Sequence, residues 1–299
     1  MCYIRETKET CDFIKRALLK LKRIFNILDI QSFQGKIIYN LPLYETSIIK
    51  DKKIKKIAKK ICKILYQKDI DNVVLSNKLT SNDLFKAILY ENNINILNGR
   101  KLFGYLIYDV VNYILKRQNK TEQTQEITIL VNDINKQKIE NIILFAKKFR
   151  RVNIVTNHIE KFKKIEQYLY SEYGIIINIS NNKSKSLLRS NLIINFDFTE
   201  ELVNKYIINN NAIIINILDK VIIESKKFNG ININYYKINI PNKYKIDGFS
   251  NQVLYESIIY KENSLERIID IIKKDNIKIK RLVGNKGEIS NREFVLTSG

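Results

Sequence analysis

The sequence predicts an α/β protein whose larger part is a doubly wound parallel sheet, preceded by a smaller α/β domain. Three observations predict it. Short, mainly apolar runs recur between Glu126 and Asp219, at 127–131, 152–156, 175–177, 192–195 and 212–215. Helix-period segments alternate with them; Ile139, Ile142, Ile143 and Ala146 share one face of the first. A polar stretch without apolar residues, 118–125, separates this block from what precedes it. Strands buried on both faces and alternating with helices read as a parallel sheet covered on both sides. That is a Rossmann-like arrangement.

The expected organisation is an N-terminal α/β domain over 1–118, a linker over 119–125 and the Rossmann-like domain over 126–225. A C-terminal extension of helices and a hairpin follows over 226–299. The length of 299 residues suits two cores. No apolar run reaches the roughly 18 residues of a membrane helix. The charged opening, Met1 to Glu6, lacks a signal-peptide core. The three cysteines, Cys2, Cys11 and Cys62, are odd in number and have no metal-ligand spacing. Reduced thiols in a cytoplasmic protein are the simplest expectation.

The net charge is +21. Lysine supplies most of it, and lysine lacks the planar fork by which arginine grips phosphate. Ile, Asn and Lys all have AT-rich codons, so codon usage alone can produce such a composition. Only 50–63 is locally dense in lysine. There Ile54, Ile57, Ala58, Ile61, Ile64 and Leu65 recur at helical spacing, opposite a lysine face. That face reads either as a solvated surface or as a contact for nucleic-acid phosphate or an anionic membrane. No aromatic residue interrupts it over 50–63 to stack on bases.

Along the first half, 6–28 reads as a helix, with Phe13, Ala17, Leu18, Leu21 and Ile24 on one side. Residues 36–39 read as a strand that Pro42 ends or marks as an edge, and 72–75 and 94–97 as further strands. Thr80 or Ser81 is the expected cap of a helix running through Tyr90. One long helix is expected over 100–116, with Asp109 at the edge of its apolar stripe.

A dinucleotide site needs G-x-G-x-x-G after the first strand, for a tight turn and close backbone approach to pyrophosphate. Here the turn reads Val131-Asn132-Asp133-Ile134-Asn135, without glycine. The second strand ends in Thr156-Asn157-His158. In element order, and in this asparagine after the second strand, the chain resembles two-domain Rossmann proteins of the shikimate dehydrogenase and glutamyl-tRNA reductase type. The resemblance implies a cleft between two domains, NAD or NADP as cofactor, and C-terminal helices that fold back on the first domain. The arginine those families carry after that asparagine is replaced by His158, the only histidine of the chain.

The candidate binding residues are the polar strand tips: Asn132, Asp133, Asn157, His158, Asn195 and Asp197. Of the strand-tip asparagines, Asn132, Asn157, Asn181 and Asn195 converge on one sheet edge if the topology holds. His158 has the chemistry of an acid or base near neutral pH. No metal site is expected. Three readings stay open: a Rossmann-like protein holding a nucleotide or small metabolite without catalytic machinery, an NAD(P)-dependent oxidoreductase with an atypical phosphate loop, and a basic nucleic-acid-binding protein. In the C-terminal part, 221–223 and 231–240 read as extended, 253–260 and 265–274 as helices, and 284–287 as a hairpin turn.

Overall fold

A computed structural model describes residues 1–7, 18, 21, 22, 24, 25, 27–33, 35–44, 50–262 and 264–296. Most of the helix expected over 6–28 lies outside the described residues. The contacts divide the chain into two units, Met1–Gly99 with Pro241–Lys261, and Arg100–Ile240 with Glu262–Gly299. The division falls at Gly99, whereas the polar stretch at 119–125 suggested a later boundary. Residues 100–117 are apolar on the face that packs within the second unit, and 122–124 form only a short 3-10 turn.

The first unit holds a five-stranded sheet in the order β2-β3-β1-β4-β5. Its strands are β1 (Cys2–Thr7), β2 (Asp29–Phe33), β3 (Lys36–Tyr44), β4 (Asn72–Leu75) and β5 (Asn95–Ile96). β1 sits in the centre, parallel to both β3 and β4. Sequence reading missed β1, because Arg5 and Glu6 interrupt what is otherwise a buried run of Cys2, Tyr3 and Ile4. Pro42 does not end β3. It lies beyond the residues that pair with β2, next to a register shift opposite Glu6 and Thr7, where no ladder donor is required of it. α1 (Asp51–Gln67) buries Ile54, Ile57, Ala58, Ile61 and Leu65 in the core of this unit. Two short helices follow, α2 (Asn77–Thr80) and α3 (Asp83–Glu91). The cap of α3 is Asn82, whose side chain accepts from Phe85 N at 2.8 Å, and not Thr80 or Ser81. Ser76 caps α2 and also donates to the buried Glu6 carboxylate. Residues 241–261 complete the unit: the Tyr3 hydroxyl meets Ser257 Oγ at 2.8 Å, and Phe249 packs edge-on against the Tyr3 ring.

The second unit opens with two helices, α4 (Arg100–Tyr105) and α5 (Ile107–Arg117), where the periodicity suggested one. Asp109 is exposed on α5. Its eight strands are β6 (Glu126–Leu130), β7 (Arg151–Val155), β8 (Asn178–Ser180), β9 (Leu192–Asn195), β10 (Ile213–Asn216), β11 (Ile231–Asn239), β12 (Lys278–Gly284) and β13 (Gly287–Glu288). They lie in the order β13-β12-β11-β10-β9-β6-β7-β8. The six strands from β8 to β11 are all parallel. Counted from β6, their order is 3-2-1-4-5-6, the doubly wound arrangement. β12 and β13 add an antiparallel hairpin. The segment after 225 thus supplies three strands of this sheet, together with helices over Asn251–Ile259 and Leu265–Lys274, and it is divided between the two units. Among the helices are α6 (Lys136–Lys148), α7 (Ile159–Tyr173) and the single turn α8 (Glu200–Val203).

Two expected strands move. Residues 175–177 form no strand; β8 begins at Asn178, and Ile176 is 72% exposed. The apolar run misled because an edge strand needs only one buried face. Residues 221–223 are irregular, their backbone held by side chains instead of a ladder. No helix among the described residues is long and apolar enough to cross a membrane.

Candidate functional site

Between β6 and β9 the strand order reverses, and doubly wound sheets bind ligands outside the carboxyl ends of their strands at this point. The loop after β6 turns without glycine. Asn135 caps α6, its side chain accepting from Lys138 N at 2.9 Å. The free amides of the loop converge on one group. Asn132 N donates to Asp197 Oδ1 at 2.7 Å, and Asp133 N to Oδ2 at 2.9 Å. Lys138 Nζ donates to the same Oδ2 at 2.6 Å. The Asp197 side chain is 8% exposed and that of Lys138 14%. A carboxylate of the chain itself thus accepts from the backbone amides that, in a dinucleotide-binding sheet, face pyrophosphate.

The neighbouring tip is fastened in the same way. Asn132 Oδ1 accepts from Asn157 N at 2.8 Å and from Thr156 Oγ1 at 3.4 Å. Thr156 Oγ1 in turn accepts from His158 N at 3.0 Å. The ends of β9, β6 and β7 are therefore stitched together by Asp197 and Asn132. Asp133 does not carry its charge into the loop. Its side chain is exposed, 3.5 Å from Lys161 Nζ, an ion pair of little energetic weight at such exposure. His158 occupies the N-cap position of α7, is exposed, and makes no capping bond.

Asn195 belongs to a second network. Its Nδ2 donates to Asn216 Oδ1 at 3.0 Å and to Phe198 O at 3.0 Å, and its Oδ1 accepts from Phe198 N. Asn216 Nδ2 reaches Asn232 Oδ1 at 2.7 Å and Asn234 Oδ1 at 3.0 Å. Asn234 Nδ2 reaches Asn285 Oδ1 at 2.6 Å. These amides run across β9, β10, β11 and the β12–β13 turn, largely buried and bonded to one another. Arg100 closes the same edge, donating to the carbonyls of Asn216, Ile217 and Asn234 at 3.2, 3.2 and 2.7 Å. Burial lowers its pKa from the ordinary value.

The six candidate residues therefore do not form one pocket. Asn132, Asp133, Asn157 and Asp197 meet at the switch point, Asn195 lies in the amide ladder, and the His158 side chain joins neither. Lys138, Thr156 and Arg100 were missed. The signal for Lys138 is its place in the first turn of the helix after the first strand, where a cation is unusual and needs an anion. Hollows of about 370, 950, 310 and 250 Å³ open among the described residues, and the linings of these include no candidate residue. No group of three His, Cys, Asp or Glu able to hold a metal occurs among the described residues.

No protein-family model matches the chain. No curated protein matches it either. Among solved structures it is similar to L-tryptophan dehydrogenase from Nostoc punctiforme, at 9% identity over 99% of this chain and 88% of that one, with a TM-score of 0.37. It is also similar to aspartate transcarbamoylase from Trypanosoma cruzi, at 10% identity over 73% of this chain and 71% of that one, with a TM-score of 0.26. Ornithine transcarbamoylase from Giardia lamblia is similar at 8% identity over 72% of each chain, with a TM-score of 0.27. Likenesses this slight carry no chemistry, and the Rossmann-like assignment rests on the strand order.

Proposed function

We propose that the chain works without a dinucleotide, its Rossmann-like unit serving as a scaffold in which Asp197 takes the part of the cofactor's pyrophosphate. The observation that carries this is the carboxylate bonded to Asn132 N, Asp133 N and Lys138 Nζ. A phosphate entering beside it would meet a like charge at about 4 Å, which costs about 4 kcal/mol at an effective dielectric near 20. Displacing Asp197 instead would strand Lys138 in a largely buried position. A nucleotide or small metabolite held at these tips, and an NAD(P)-dependent oxidoreductase with an atypical loop, both lose support for the same reason. The polar groups they require are already bonded.

The test is a thermal-shift panel with NAD and NADP. A ligand at about 100 times its dissociation constant adds about 2.7 kcal/mol, a shift of several degrees. The expected result is no shift with either. A rise with one of them would overturn the proposal. Asp197→Ala provides the complementary arm. With the carboxylate gone, the loop amides and Lys138 should accept an added anion, so sulfate should raise the midpoint of the variant more than that of the natural chain. Equal rises would mean that these donors do not form an anion site.

A further inference from the structure

α1 carries Lys52, Lys56, Lys59, Lys63 and Tyr66 along a single stripe, at spacings of four, three, four and three. All five are exposed, Tyr66 at 86%. The helix extends past 63 to Gln67, which brings an aromatic ring onto the lysine face. Asp51 is the one acid among its 17 residues. Elsewhere lysines sit beside acids: Lys86 by Asp83, Lys136 by Glu140, Lys138 by Asp197, Lys163 by Glu160 and Lys237 by Glu288. Lys52, Lys56, Lys59 and Lys63 have no such partner among the described residues. Codon usage can enrich lysine throughout a chain, but it does not sort acids away from one helix face.

Beside the C-terminal half of the stripe lies a hollow of about 950 Å³, lined by Lys59, Lys63, Tyr66 and Gln67. Asp69 and Asp71 also line it. A phosphate backbone following the lysines would thus have an exposed ring on which a base can stack, and acceptors for base amino groups beyond it. Lysines track phosphate without reading sequence, and one aromatic ring stacks on any unpaired base. The apolar face of α1 is committed to the core, so the helix has nothing to insert into a bilayer.

We propose that the α1 face binds single-stranded nucleic acid without sequence preference, the four lysines holding consecutive phosphates over about 17 Å of helix and Tyr66 stacking on a base. The decisive measurement is fluorescence anisotropy of a labelled 15-nucleotide oligo-dT with the full chain. Four phosphates neutralised on a single strand predict an affinity drop of about fifty-fold between 50 and 200 mM salt. Substituting all four lysines by glutamine (K52Q, K56Q, K59Q and K63Q) should lower affinity at least tenfold at 50 mM salt. The triple change K220Q, K226Q and K227Q, on exposed lysines of the second unit, should leave it within about twofold. Tyr66→Ala should weaken oligo-dT binding about 5- to 150-fold and leave duplex binding alone.

Equal losses from the two lysine sets would overturn the face. An unchanged affinity in Tyr66→Ala, with duplex and single strand bound alike, would overturn the single-strand assignment. Lysine-dependent binding to phosphatidylserine vesicles with none to oligo-dT would replace the proposal by a membrane contact. Matching melting temperatures of the glutamine variants and the natural chain would show that any loss is not unfolding.

Discussion

Lys138 and Lys59 are the same residue type, each on a helix with one buried face, and they meet opposite ends. Lys138, in the first turn after β6, is buried against Asp197, and that carboxylate also takes up the loop amides. Lys59 stands exposed on α1, with lysines above and below it and no ion-pair partner among the described residues. At the switch point of the second unit the chain answers its own charge; on α1 it leaves charge for another molecule to answer. A total of +21 says nothing of this difference. Where the acids are placed does.

The sharpest way to break the comparison is at Asp197. Asp197→Ala should cost about 3–5 kcal/mol, because Lys138 is left largely buried without its counter-charge, keeping only the Asp133 carbonyl at 3.1 Å. Urea unfolding measures it, and Asp197→Asn should fall in between. A loss below about 1 kcal/mol would mean that the switch point is open to water. Next is the amide ladder. Asn216→Leu strips Asn195, Asn232 and Asn234 of a partner each and should cost about 3 kcal/mol; a neutral result would show that water satisfies them.

Another effect is visible only at high pH. Burial pushes the Cys2 thiol up from 9.0 to about 12. The folded thiol then keeps its proton where the unfolded one has lost it. The stabilisation it gives is complete below pH 9 and is lost as pH rises toward 12, by about 1.4 kcal/mol per unit. Cys2→Ala should lack that slope, and native Cys2 should resist thiol reagents at pH 8. Asn82→Ala, which removes the cap of α3, should cost about 1 kcal/mol in the same urea titration. Smallest of all, each lysine-to-glutamine change on α1 should alter stability by less than about 0.5 kcal/mol. A larger loss would mean that the stripe is structural.

How much of this was legible follows from the kind of residue involved. β6, β7, β9 and β10 could be read because strands buried on both faces carry apolar residues on both faces. β8 could not, since Ile175, Ile176 and Ile177 outweigh the Asn-Ile-Ser that forms the edge. β1 was hidden by Arg5 and Glu6, whose side chains are bonded to Asn40 and Ser76 at the strand's far end. Asn132 and Asp197 stood out as polar strand tips. Their bond did not, because it joins residues 65 apart in sequence and depends on β9 lying beside β6. Tyr66 escaped because the lysine run ends before the helix does.

The first unit is built from two separate lengths of chain, and this sets an order of events during synthesis. Chains grow at roughly 5–20 residues per second, so about 10–30 seconds pass between residue 99 and residue 261. Through that interval β1 to β5 exist without Phe249 and Ser257, the residues that cover Tyr3. The second unit meanwhile has its six parallel strands by residue 239 but not the hairpin that finishes its sheet. Neither half can be cut out at a single point. A chain that joins 99 directly to 241 and stops at 261 is the shortest form in which the first unit has all its parts.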